Sequence, residues 1–215
     1  MSVGARLPPA PFLYPIVDAG LVGIDRVAAV VSSLVSAGAR LVQVRAKGVG
    51  DRALCQAASA AVSAAHAGGA LLIVNDRPDV ARIAGADGVH VGQEDLAPED
   101  VRRLLPPAAL VGISSHDVAQ AVAAGATGAD YVAIGPVFAT STKERPDPVV
   151  GLSIVREVRA RLKVPVVAIG GITAANARDV VAAGADGLAV VSHLLRDANP
   201  GEAFRRMESL IGPSR

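Results

Sequence analysis

Short apolar runs alternate with longer amphipathic stretches along nearly the whole chain. The runs lie at residues 13–17, 41–44, 71–74, 88–91, 110–113, 131–134, 166–169 and 188–191. They are four or five residues long and rich in Val, Ile and Leu, as expected of strands. Between them, residues 25–37, 51–67, 78–84, 98–105, 117–124, 152–162, 174–183 and 202–211 space their apolar positions three and four apart. That spacing predicts helices laid against a sheet. A small phrase punctuates the alternation: Gly-Ala, in several copies followed by Asp, then an apolar run. It occurs at Gly38-Ala39, Gly69-Ala70, Gly85-Ala86-Asp87, Gly128-Ala129-Asp130 and Gly184-Ala185-Asp186. The glycine reads as the left-handed residue that stops a helix.

Strands alternating with helices imply βαβ units and a parallel sheet. Eight such units close most simply into a (β/α)8 TIM barrel, an α/β fold, here one domain over residues 1–215. A doubly wound open sheet is the alternative. It ranks lower because no Gly-rich dinucleotide loop follows the first strand.

Composition narrows the partners. The 215 residues are 51% hydrophobic but only 2% aromatic, so the core is aliphatic, and the net charge is +1. Neither a basic field nor stacking platforms for nucleic acid are present. No run reaches the roughly 20 apolar residues of a membrane span. The lone Cys55 allows no intrachain disulfide and reads as an inert thiol. The amino-terminal stretch lacks a signal-peptide pattern, which makes a cytoplasmic location the expectation.

In a barrel the active site is built where the strands end at their carboxyl side. Gln43, Arg45 and Lys47 follow the second run, Asn75 and Asp76 the third, Gln93 and Asp95 the fourth, Ser114 the fifth. Thr140, Ser141, Thr142 and Lys143 lie in the long connection 135–151 after the sixth, Gly170-Gly171 after the seventh, Val191-Ser192 after the eighth. Asp76 and Asp95 on adjacent strand ends would suit Mg²⁺, which takes one or two carboxylates plus substrate phosphates. Both also fit as helix caps, and Ser115 reads more readily as a cap than as a ligand. The cations beside these acids suit a diphosphate; the glycines and Ser192 suit a monophosphate held by backbone amides. His66, His90 and His116 read as packed or capping residues rather than bases.

In this order the clusters resemble thiamine phosphate synthase. The motifs are Gln43-x-Arg45-x-Lys47, Asn75-Asp76, Gly88-Val89-His90-Val91-Gly92-Gln93-x-Asp95, Gly112-x-Ser114-x-His116, Gly135-Pro136-x-Phe138-x-Thr140-x-Thr142-Lys143, Ala168-Ile169-Gly170-Gly171-Ile172 and Val191-Ser192. The resemblance spans about residues 14–195. It implies a barrel that condenses hydroxymethylpyrimidine diphosphate with a thiazole phosphate, or its carboxylated tautomer, to thiamine phosphate and diphosphate. By position it implies that Gln43, Val44, Arg45, Ala46, Lys47, Asn75, Ser114 and Lys143 hold the pyrimidine diphosphate. Thr140, Ser141, Thr142, Gly171, Val191 and Ser192 would hold the thiazole phosphate. Asp76 and Asp95 would bind Mg²⁺, and Arg45, Lys47, Ser114 and Lys143 would carry the catalytic roles. His193, where the family commonly has a small residue, and the Pro-rich segment 144–150 depart from the family pattern.

Two other readings are a thiazole tautomerase-like relative and a non-catalytic barrel that binds thiamine precursors. The acid pair and the Arg45/Lys47 pair weigh against the first, and the acid pair with the intact motif of the 135–151 connection against the second. The expected partners are two small molecules, with no nucleic acid and no membrane, and a homo-oligomer is compatible with the pattern.

Overall fold

The computed structural model describes residues 7–140 and 148–212. Eight parallel strands pair in sequence order and close, β8 on β1. They are β1 (Phe12–Asp18), β2 (Leu41–Arg45), β3 (Leu71–Asn75), β4 (Gly88–Val91), β5 (Leu110–Ser115), β6 (Tyr131–Ile134), β7 (Val166–Ile169) and β8 (Gly187–Val190). The TIM-barrel expectation is met, and every expected strand is present within two residues at each end.

Helices pack outside the barrel: α1 (Ala19–Val22), α2 (Val27–Ser36), α3 (Asp51–Ala67), α4 (Pro78–Ala84), α5 (Pro98–Leu104), α6 (Val118–Gly125), α7 (Gly151–Arg161), α8 (Ala177–Ala182), α9 (Ser192–Leu195) and α10 (Pro200–Ile211). Two start two or three residues later than expected. Residues Ile24–Arg26 form a 3-10 turn before α2. Thr173–Asn176 is a turn closed by the Thr173 N–H on Asn176 Oδ1 at 2.8 Å, so α8 starts only at Ala177. The helices α1 and α9 were not expected; four residues are too few to show a helical period. No described helix is long and apolar enough to cross a membrane.

The buried faces follow the spacing of the apolar residues. In α2 these are Val27, Val30, Val31, Leu34 and Val35; in α3 they are Leu54, Ala58, Ala61, Val62 and Ala65. Both are stripes of three- and four-residue steps. They join one large apolar cluster between the helices and the sheet. A second, smaller cluster fills the barrel itself, with Phe12, Leu41, Ile73 and Leu110 among its fully packed members.

The repeated Gly-Ala-Asp phrase has a structural cause. All five glycines adopt positive φ, which only a residue without Cβ enters freely. The aspartates then tie neighbouring strands together. Asp87, just before β4, accepts the Leu72 N–H of β3 at 2.8 Å. Asp130, before β6, accepts the Val111 N–H of β5 at 2.6 Å. Asp186, before β8, accepts the Val166 N–H of β7 at 2.8 Å. Each also meets a cation or imidazole from a helix: His66, Arg102 and Arg159 respectively. The phrase therefore secures the amino-terminal end of the barrel and leaves the other end to chemistry.

Candidate active site

At the carboxyl ends of the strands one pocket opens, lined by Gln43, Arg45, Asn75, Ser114, Thr140, Gly171, Val191 and Ser192 among the expected residues. Its floor and walls add Tyr14, Ile16, His90, Val167, Ile169 and Ile172. These apolar and aromatic positions were not legible as site residues, because inside a barrel they read as core.

Lys47, Asp76 and Asp95 are not among the residues that line the pocket. Lys47 is ion-paired with Asp76. Asp76 is the one described non-glycine residue in the left-handed region, at φ 61°. Asp tolerates that region better than most side chains, and the Asp76 N–H is held by the His90 carbonyl at 2.7 Å. Neither acid caps a helix. Arg77 and Ala97 occupy the caps of α4 and α5 without side-chain bonds. Asp95 instead accepts the Gly92 N–H at 2.7 Å within its own loop. Burial raises the pKa of Asp95, and the Asp76 carboxylate beside it raises it further; the Gly92 N–H and Lys47 oppose the shift. A carboxylate whose ionisation is hindered by a second carboxylate beside it fits a hard divalent cation. No group of three or more metal-type ligands exists among the described residues, so such a cation would draw its other ligands from water or substrate.

Arg45 is the other cation on this side. Its guanidinium pairs with the buried Asp18 of β1, a residue the apolar pattern stopped one position short of. Val44 and Ala46 turn their side chains to the helix layer. They can offer a ligand only backbone atoms.

Below the mouth, buried polar groups form a connected set. Gln43 Nε2 donates to the Tyr14 hydroxyl at 2.9 Å, and the Tyr14 and Tyr131 hydroxyls bond at 2.9 Å. His90 Nδ1 lies 3.1 Å from the Tyr131 hydroxyl and its Nε2 2.9 Å from Ser114 Oγ. Burial pushes the His90 pKa down to about 4, so the imidazole is neutral at physiological pH; Asp95 opposes this only in part. Burial also raises both tyrosines, keeping them protonated. Gly112 exists to seat this group, since a Cβ there would meet the Tyr131 ring at 2.1 Å.

Across the pocket, Gly170 and Gly171 carry φ of 99° and 63°. A Cβ on Gly171 would fall 2.5 Å from the Ala139 carbonyl, and one on Gly170 2.5 Å from Pro136. The root of the β6 loop is thus laid on the β7 loop, where the Val137 N–H bonds Ile169 O at 2.8 Å and the Phe138 N–H bonds Gly170 O at 3.0 Å. Asn176 braces the same loop by donating to Gly171 O at 3.0 Å. His193 accepts the Ala174 N–H at 3.3 Å, so it too packs on this loop rather than projecting away. Ser115 is not a helix cap: it is buried in β5 and donates to Ala133 O at 2.8 Å, while Asp117 caps α6. His116 Nδ1 meets Gly135 O at 2.7 Å, linking the fifth and sixth loops. Ser141, Thr142 and Lys143 lie outside the described residues.

The sequence profile of the family described as thiamine monophosphate synthase matches residues 13–194. The chain belongs to this family. A thiamine-phosphate synthase of Methanoculleus marisnigri is 48% identical over 178 residues, covering 83% of this chain and 84% of that protein. Another, of Methanoregula boonei, is 45% identical over 199 residues, covering 93% and 92%. Among solved structures, a thiamine phosphate pyrophosphorylase from Pyrococcus furiosus superposes with a TM-score of 0.83 at 32% identity, over 93% of this chain and 94% of that one. A geranylgeranylglyceryl phosphate synthase from Thermoplasma acidophilum superposes at 0.71 but with 19% identity over 95% of this chain and 94% of that one, which speaks for the barrel alone. The match to the thiamine monophosphate synthase family contains every residue of the pocket and both carboxylates of its mouth.

Proposed function

We propose that the chain joins hydroxymethylpyrimidine diphosphate to hydroxyethylthiazole phosphate, or its carboxylated tautomer, and releases diphosphate and thiamine phosphate, with the carboxylate of the tautomer leaving as carbon dioxide. The observation that carries this reading is the two-sided pocket. One side has Arg45 in the wall, with Lys47, Asp76 and Asp95 outside the lining on the loops that follow β2, β3 and β4. The other is a neutral wall of Gly170, Gly171 and Ser192. The first suits a diphosphate, the second a monophosphate held by backbone and hydroxyl donors.

In the reaction the bond from the pyrimidine methylene to the diphosphate oxygen breaks, and the thiazole nitrogen bonds that carbon. Charge grows on the leaving oxygens, where Arg45, held in place by Asp18, and Lys47 would stabilise it. Gln43, Asn75 and Ser114 would orient the pyrimidine. Gly171, Val191, Ser192 and Thr140, with Ser141 and Thr142, would orient the thiazole phosphate. The apolar wall of Ile16, Ile169 and Ile172 would keep water from the electron-poor carbon. Asp76 and Asp95 would hold Mg²⁺, which when bound neutralises phosphate charge.

The test is product formation by the purified chain from the two substrates with Mg²⁺, followed by mass spectrometry. Thiamine phosphate forming only when all three are present supports the reading. Interchange of thiazole tautomers without coupling would replace it with an isomerase, and binding without turnover with a sensor.

A further inference from the structure

Tyr14, Tyr131 and His90 are buried titratable groups for which the reaction above has no use. Tyr131 is fully buried and is the one member of the connected set that does not line the pocket. Its role must therefore pass through its neighbours.

Hydrogen counting lets the set run in two concerted directions, and the placement of the Gln43 amide selects one. The amide nitrogen of Gln43 can only donate, so the Tyr14 oxygen accepts from it. With its oxygen accepting from Gln43, Tyr14 has its single hydrogen to give to Tyr131, and Tyr131 then has its own for His90 Nδ1; by distance alone either phenol could be the donor. A neutral imidazole has one donor and one acceptor, so Nε2 carries the hydrogen and donates to Ser114 Oγ. Ser114 then has its own hydrogen left for the pocket. At the other end Gln43 uses one amide N–H on Tyr14 and keeps its carbonyl oxygen and second N–H. Turning the Gln43 amide over would reverse every bond and exchange the two ends.

We propose that Tyr14, Tyr131 and His90 are positioning residues forming a one-way hydrogen-bond chain, which obliges Ser114 on β5 to present a donor and leaves the Gln43 carbonyl oxygen on β2 as an acceptor for the same ligand. The pocket floor then has a fixed polarity. It takes a ring with an acceptor on the Ser114 edge and a donor for the Gln43 oxygen, which an aminopyrimidine supplies. The chain rests on the proposed pyrimidine substrate for its purpose, but not for its existence. Burial enforces it, because a wrongly turned member leaves a polar group without a partner.

The test reads the His90 tautomer by two-bond proton–nitrogen NMR on histidine-labelled protein, with the four histidines assigned by substitution. The free protein is expected to show Nε2–H at His90. Gln43→Glu, measured at pH 8 with Arg45 on the same strand face to keep the carboxylate ionised, replaces a donor by an acceptor three bonds away. It is expected to reverse the chain and move the hydrogen to Nδ1. Tyr131→Phe keeps the ring, its stacking on His90 at 5.5 Å and its edge contact with Tyr14 at 5.9 Å, and removes only the oxygen. In that background Gln43→Glu is expected to leave the His90 tautomer as it was. By itself Tyr131→Phe is expected to raise the KM for the pyrimidine diphosphate about five- to tenfold, the scale of one buried hydrogen bond, with the KM for thiazole phosphate unchanged. Nδ1–H in the unaltered protein, or a tautomer indifferent to Gln43→Glu, overturns the chain. A tautomer that responds as expected in a protein that makes no thiamine phosphate would keep the chain and remove the substrate assignment instead.

Discussion

Asp18 and Arg45 are paired twice, as register partners across β1 and β2 and as a carboxylate and guanidinium in contact. Asp18 also accepts the Gly20 N–H at 2.8 Å and so caps α1. Its side chain is 7% exposed and that of Arg45 23%, so solvent screens the pair only in part. Asp18→Asn keeps a capping oxygen and loses the charge. Steady-state kinetics should show a KM for the pyrimidine diphosphate raised about tenfold, because the Arg45 fork is no longer aimed, while thermal melting changes by only about 1 kcal/mol. An unchanged KM would show that Arg45 needs no partner to be placed.

Asp95 makes the stability depend on pH. Its folded-state pKa is raised by burial and by Asp76. A raised carboxylate contributes stability that is present below its ordinary unfolded value and is lost as pH rises through the folded one. Melting without divalent ions should therefore show the melting temperature falling as pH climbs out of the ordinary carboxylate range. Added Mg²⁺ should recover most of the loss by binding only the folded form. Asp95→Asn should flatten the profile and abolish the Mg²⁺ effect. A Mg²⁺ effect that survives in that variant would place the ion elsewhere.

Gly171 is braced against the β6 loop as much as it faces the pocket. Gly171→Val would put a branched Cβ where the Ala139 carbonyl and the Phe138 Cβ now sit, at a φ costing about 1–2 kcal/mol for any L side chain. We expect a lower melting temperature, by a few degrees, and a KM raised more for thiazole phosphate than for pyrimidine diphosphate, since Thr140 would shift with the loop. Equal rises in both would point to a general folding defect.

Asn176 offers a milder probe of the same wall. It joins Gly171 O to the Thr173 N–H through its two amide atoms. Asn176→Ala should raise the KM for thiazole phosphate about five- to tenfold, from the loss of one or two hydrogen bonds. Asn176→Asp keeps the shape and the bond from Thr173, yet it adds a negative charge close to the phosphate wall and should be worse than Ala. If Asp is the milder change, the loop matters for shape and not for anion binding.

The sequence disclosed the barrel because each unit repeats the same local logic, with aliphatic strand, amphipathic helix and glycine stop. It disclosed the polar residues one to four places past each apolar run, such as Asn75, Asp95 and Ser192, because strand ends are where a barrel exposes its chain. It hid Tyr14 and Tyr131, whose partners lie 117 residues apart and whose rings look like core in any one-dimensional pattern. It hid Asp18 for a plainer reason, since the aliphatic run ends at Val17, one residue short of it. The helical period cannot register α1 or α9 at four residues each. Asn176 lay inside an expected helix, and only the turn it closes shows that its side chain serves the loop before it.

The apolar interior is split in two by the sheet, with the larger share outside the barrel and the smaller inside. The two compartments share a wall and little else. A craftsman could re-cut the inner chamber around Tyr14, Ile16, Val167 and Ala189 while the outer shell keeps the vessel upright. Inherited changes face the same partition: those that alter what the chamber accepts need not weaken what holds it closed.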